Sequence, residues 1–415
     1  MVLALALAVS AGCVSRPTAL SYTPGPRGDG PPARGGHAVF VREEDPDFLD
    51  PALSYGTYTA PVIEGVFRSL LEYVDAPGPA GTELVPELAE GMPDVREGGT
   101  LYAFKVRADA RFGAPLHRHI TAEDFKYAFE RLYRVGSSGM SFYRSVVGVN
   151  AVIAGTAHTI PGVIARGDSI YFRLEKPDPI FIQALTLSFT APIPREIDDK
   201  YPNAFSQHTV SSGPFEVADF VPRRRLLLVR NPDYCGEPAR LDTFELRLGV
   251  TPSNAVALIR RGQADGGFFE VPAGDYARLR LDPVWSHQID LADGLNTEYL
   301  FMNCRIKPFD DVRVRKAVNW ALDKRAIFKV WSGKGEMAGE FLPPAMPGAA
   351  RLGRYMGPDV ARARALLREA GYPNGFTTTL YGWTTEPGPR QLSLVQQQLE
   401  QVGIHAELDL GEAAG

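Results

Sequence analysis

The stretch FMNCRIKPFDDVRVRKAVNWALDK, residues 301–324, holds the pattern on which the fold turns. Its first residues close the apolar run NTEYLFMN (296–303), which predicts a β-strand, and its second half predicts an amphipathic helix. Asp311 stands where an N-cap accepts the first free backbone N–H groups. Val314, Ala317, Val318, Ala321 and Leu322 then recur at the spacing of one buried helical face. A strand followed by a helix is the repeating unit of an α/β domain.

The same alternation runs outward from this stretch. HAVFV (37–41) predicts a strand, and beyond Pro51 the residues Val62, Val66, Phe67, Leu70 and Leu71 predict a helix. LYAFKVRADARF (101–112) alternates Tyr102, Phe104 and Val106 on one face. ITAEDFKYAFERLYR (120–134) opens with a capping box, Thr121 and Asp124, and carries Phe125, Phe129 and Leu132 as a core stripe. SSGPFEVADF and RLLLVRNPDY predict a hairpin, with Arg223, Arg224 and Arg225 near its turn as a solvated rim. A helix from Ser253 stops at Gly262, two more end at Gly371 and Gly403, and HAELDL (405–410) predicts a final strand.

A chain of 415 residues is long enough for two or three domains. The formal charge of −5 gives no whole-molecule attraction to a phosphate backbone, so nucleic acid is not an expected partner. The uncharged opening MVLALALAVSAGC is too short to span a bilayer and resembles a bacterial lipoprotein signal, in which Cys13 is acylated and becomes the new N-terminus. The Pro- and Gly-rich SRPTALSYTPGPRGDGPPARGG that follows predicts a tether. Lipid, tether and folded body then form one plan, outside the cytoplasm and anchored to the membrane.

Catalytic chemistry finds no foothold in the motifs. His117 and His119 lie close together, but no further ligand accompanies them at zinc-site spacing, so they predict a surface loop and no metal. No nucleophile elbow, phosphate loop or dinucleotide fingerprint is present, and no cofactor is implied. Cys235 in VRNPDYCG lies between Tyr234 and Gly236 with acidic neighbours, which is the wrong setting for a thiolate. It is expected to be a turn residue, and its pairing with Cys304 is left open.

LDP (49–51), ITAEDFKYAFER, SSGPFEV, VRNPDYCG, LDTFELRL (241–248), LIRRGQAD (258–265), the 301–324 stretch and ARALLREAGYPNGF (363–376) together resemble the bacterial extracellular solute-binding proteins of family 5. In that family a large aromatic follows the Asn-Pro-Asp-Tyr turn, where this chain has Cys235. The resemblance implies an α/β, periplasmic-binding-protein-like clamshell: two α/β lobes, a hinge and a cleft, with an inserted smaller α/β domain. It divides the chain into a signal segment (1–12), tether (13–35), lobe I (36–75 and 205–292), inserted domain II (76–204) and lobe III (293–415). The function implied is binding and not catalysis: a monomer captures di- or oligopeptides in the interlobe cleft and delivers them to ABC permease subunits. Nickel chelate, heme or an oligosaccharide is the alternative cargo, and a ligand sensor the alternative role. The residues implied to face the ligand are Ser54, Tyr55, Gly56 and Thr57 in the loop after LDP, and Trp383 and Thr384 in YGWTTEP (381–387). The family's chains also continue past the strand equivalent to HAELDL to an aspartate that pairs with a peptide amino group. Glu412 comes too soon after the strand to match it, so a C-terminally truncated chain that binds peptides weakly or not at all is expected.

Overall fold

The computed structural model describes residues 33–76, 78–289, 295–331, 335–343, 346, 348–350, 353, 357–384 and 387–411. Cys13, the signal segment, nearly all of the tether and Glu412 lie outside these residues. The chain divides into two compact units, Met1–Glu270 and Val271–Gly415. That boundary precedes the 292/293 junction expected from the resemblance. Val271 opens the second unit with a helix, Ala273–Leu281, that packs on the following turn Trp285–His287.

The first unit contains a five-stranded sheet in the order Gly266–Gly267, His37–Val41, Thr243–Arg247, Arg225–Arg230, Phe215–Val221. His37–Val41 runs parallel to both of its neighbours, and the predicted hairpin forms, with Phe215 opposite Arg230. A four-stranded antiparallel sheet follows the order Asp94–Arg96, Leu101–Lys105, Ser169–Arg173, Val163–Arg166. The helix Ala122–Arg134 carries the predicted capping box and buries Phe125, Phe129 and Leu132. One continuous apolar core runs from Leu226 and Leu246 of the first sheet to Phe104 and Phe172 of the second.

The helix predicted over 62–71 is shorter than its apolar spacing suggested. It spans Ala60–Val66, and Phe67 is extended at φ −122°, ψ 139°. A second segment captures the last carbonyl: Val66 O accepts from Ser211 Oγ (2.7 Å), Ser212 N (3.1 Å) and Gly213 N (2.9 Å). Gly213 is required there, since a Cβ would stand 2.8 Å from the Val66 carbonyl carbon. Leu70 and Leu71 are still buried, but Leu71 begins the short strand Leu71–Tyr73.

The second unit is a helical layer on a two-stranded parallel sheet, Phe376–Trp383 beside Ile404–Gly411. The helix Val312–Ala321 is capped by Asp311, whose carboxylate accepts from Arg313 N at 2.7 Å, and buries the four apolar residues expected within it. Val360–Glu369 and Gly388–Glu400 complete the layer. NTEYLFMN does not form a strand. Its alternation is real, because Leu300 and Met302 pack on the core while Tyr299 and Phe301 are exposed, but no described strand offers it a backbone ladder.

Candidate functional site

The loop after the first strand is organised by two aspartates, and the two have different tasks. Asp50 is buried and bonds bidentately to Arg131 of the capped helix, at 2.9 and 2.7 Å. Arg131 Nε lies 2.9 Å from Asp198 on the far side, so two carboxylates grip one buried guanidinium. This anchors LDP to the core. Asp47 instead gathers the loop itself: one carboxylate oxygen accepts from Tyr55 N (2.8 Å) and Gly56 N (2.7 Å), the other from Ser54 Oγ (2.9 Å) and Phe48 N (2.9 Å).

Of the four loop residues expected to face a ligand, Tyr55 and Thr57 are exposed. Gly56 is partly covered, and a Cβ there would meet the Tyr58 ring at 2.9 Å. Ser54 is buried, with its hydroxyl turned back onto Asp47, so it supports the loop. Two further residues belong to this site. Asp47 is one; Arg42 is the other, buried at the end of the first strand, with Nη1 donating to Tyr58 O at 2.5 Å and its guanidinium 4.9 Å from the Tyr58 ring centre. Beside the loop lies a cavity of 440 Å³ whose wall includes Asp47, Phe48, Leu53, Arg134 and Phe220.

Burial raises the Asp47 pKa, but the N–H groups of Gly56 and Tyr55 outweigh it and hold the group below the ordinary 3.8. The sign follows from linkage: a depressed folded pKa contributes stability above the unfolded value, lost as pH falls through the lower folded one. The knot is therefore complete at neutral and mildly acid pH. Asp47→Asn is expected to speed hydrogen exchange at the Tyr55 and Gly56 amides roughly tenfold, the worth of a charge-assisted bond. Unchanged exchange at both amides would sink this account.

In the second unit the strand Phe376–Trp383 takes in Tyr381, Gly382 and Trp383, which corrects the loop placement of these three residues, whereas Thr384 lies beyond the strand as expected. The Trp383 ring lies on the start of the helix Gly388–Glu400, where a Cβ on Gly388 would stand 2.7 Å from the indole. Trp383 and Thr384 are both exposed. Gly382 gives room for Leu392, whose Cδ1 lies 1.9 Å from where a Cβ would be.

Cys235 and Cys304 are both free thiols, the first half-buried and the second exposed. The Cys235 turn is tied by Arg107 Nη2 donating to Cys235 O (2.8 Å) and by Tyr234 donating to Glu87. Burial pushes the Cys235 thiol up to about 11. It is therefore a packed thiol with little thiolate at pH 8. Cys235→Ala is expected to cost at most about 2 kcal/mol, as for loss of a small group at a partly buried site. In the unaltered chain a thiol reagent should consume Cys304 first; Cys235 reacting as fast in native protein would contradict its burial. His117 pairs with Asp233 at 2.6 Å and His119 lies 3.0 Å from Arg111, in the surface loop expected. Among the described residues no group of three or more His, Cys, Asp or Glu could hold a metal ion.

The first-unit loop therefore presents the exposed Tyr55 and Thr57 on backbone held by Asp47. Residues 83–414 match the family profile of the bacterial extracellular solute-binding proteins, family 5 (middle). The chain belongs to this family. A dipeptide-binding protein of Escherichia coli (strain K12) is 27% identical over 397 residues, covering 89% of this chain and 71% of that one. Heme-binding protein A of Haemophilus influenzae is 26% identical over 388 residues, covering 88% and 68%. Among solved structures, clavulanic acid biosynthesis oligopeptide binding protein 2 superposes with a TM-score of 0.81 at 26% identity, over 92% of this chain and 72% of its own. The fold is thus the mixed α/β fold of family 5, and these relatives are named as binding proteins and not as enzymes. No described helix is long and apolar enough to cross a membrane.

Proposed function

We propose that the protein captures di- or oligopeptides outside the cytoplasm and delivers them to the permease subunits of an ABC importer. The observation that carries this is the match to the dipeptide-binding protein along 397 residues. Tyr55, Gly56 and Thr57 in the first unit, and Trp383 and Thr384 in the second, are the proposed cargo contacts, with Ser54 and Asp47 as their support. Lobe I, the inserted domain and lobe III, as bounded above, are the proposed working parts, and the protein acts as a monomer without chemistry of its own. Peptide backbone and charged ends supply sequence-independent hydrogen bonds for such capture.

Titration calorimetry against mixed di- to pentapeptides, with hemin in parallel, tests the assignment. Saturable peptide binding with no hemin response is expected. Hemin binding without peptide binding would overturn it in favour of the second reading, which rests on the heme-binding relative. Anchoring through Cys13 is part of the same proposal: Cys13→Ser should abolish labelling by a fatty-acid analogue in cells, and unchanged labelling would refute the anchor.

A further inference from the structure

We propose that Tyr55, Phe189 and Phe142 form an aromatic platform that selects cargo carrying an aromatic side chain. The inference rests on the peptide-binding function above and names the class of peptide. Three segments far apart in sequence contribute one ring each: the Asp47 loop, the turn Ser188–Thr190 and the turn Ser138–Tyr143. Tyr55 stacks on Phe189 with ring centres 6.0 Å apart and planes 29° from parallel; Phe189 stacks on Phe142 at 6.1 Å and 21°. These are offset-stacked arrangements, which the aromatic quadrupole favours.

Exposure along the row is uneven in an informative way. Phe189, in the middle, is 6% exposed, while Tyr55 and Phe142 at the ends are 56% and 40% exposed. Burial alone would have drawn the end rings inward; instead the row presents aromatic surface at two wet ends. The rings are also fixed before any cargo arrives. The Tyr55 backbone is tied to Asp47, and Phe189 lies against Gly139, where a Cβ would stand 2.5 Å from the ring. The Tyr55 hydroxyl has no hydrogen-bond partner among the described residues, so it is open to a polar group of the cargo. An aromatic side chain laid on Tyr55 extends the offset stack already present, an arrangement that an aliphatic side chain cannot reproduce.

Calorimetry with Ala-Ala-Ala, Phe-Ala-Ala, Ala-Phe-Ala and Ala-Ala-Phe tests this in the full chain. At least one phenylalanine peptide should bind about tenfold more tightly than Ala-Ala-Ala, the scale of one stacked pair with its burial. Tyr55→Ala should bring that ratio to about one, and Tyr55→Phe should restore it, while thermal unfolding confirms that both variants fold. Equal affinities in the unaltered chain, or an advantage that survives Tyr55→Ala, overturns the platform and leaves peptide capture standing. Failure of all four tripeptides, with binding absent from the mixed peptides as well, overturns both.

Discussion

Arg131→Met is expected to lower the free energy of unfolding by about 3–5 kcal/mol, the scale of breaking a buried ion pair by removing one partner. Arg131 is 1% exposed and lies between the carboxylates of Asp50 and Asp198. Methionine fills much of the space yet leaves Asp50 buried, with the Ala52 N–H (3.0 Å) as a remaining donor. The charge loses its counterion while keeping its desolvation penalty. Arg131→Lys should recover only part of the loss, since one ammonium cannot reproduce the two-pronged contact with Asp50. Urea unfolding followed by circular dichroism measures the effect, and a loss below about 1 kcal/mol would show that the pair is dispensable.

Phe129→Ala is expected to cost a similar amount, about 3–5 kcal/mol, by a different route. Phe129 is fully buried, and its ring centre lies 5.1 Å from Tyr143, 5.7 Å from Phe172 and 6.0 Å from Tyr133. It joins the capped helix to the strand Ser169–Arg173, so truncation removes apolar area and opens a cavity at the seam. Tyr143 is held on its far side by donating to Ala184 O at 2.9 Å, which limits collapse into the gap. Phe129→Leu should restore most of the stability in the same unfolding assay. Equal losses for the alanine and leucine variants would mean that shape, and not volume, governs the site.

Elements whose signals are local were legible in the sequence. The Thr121–Asp124 capping box, the Asp311 cap, the hairpin 215–230 and the helix ends at Gly371 and Gly403 each depend on neighbours within a few residues. Elements decided by distant chain were not. The helix beginning at Ala60 stops where Ser211, Ser212 and Gly213 seize its last carbonyl, some 145 residues away. Phe376–Trp383 contains three consecutive threonines and no apolar alternation; it is a strand because HAELDL pairs with it in parallel register. The site divides in the same way. Tyr55 and Thr57, named from the family resemblance, are exposed, whereas Asp47 and Arg42 were not singled out because their role lies in bonds to a loop that folds back over them. The acidic residue shortly before Ser-Tyr-Gly-Thr was the available signal, since aspartate side chains readily bond nearby backbone N–H groups.

The Asp47 knot has a kinetic consequence. A loop that must become ordered around each arriving molecule spends its association step searching among conformers, and many encounters separate before the search ends. Here Tyr55 and Gly56 are tied down by Asp47, so that entropy has already been surrendered during folding. Under the proposed role of this loop in cargo contact, arrival rates are set by diffusion and orientation, and discrimination among cargoes falls to how long each one stays.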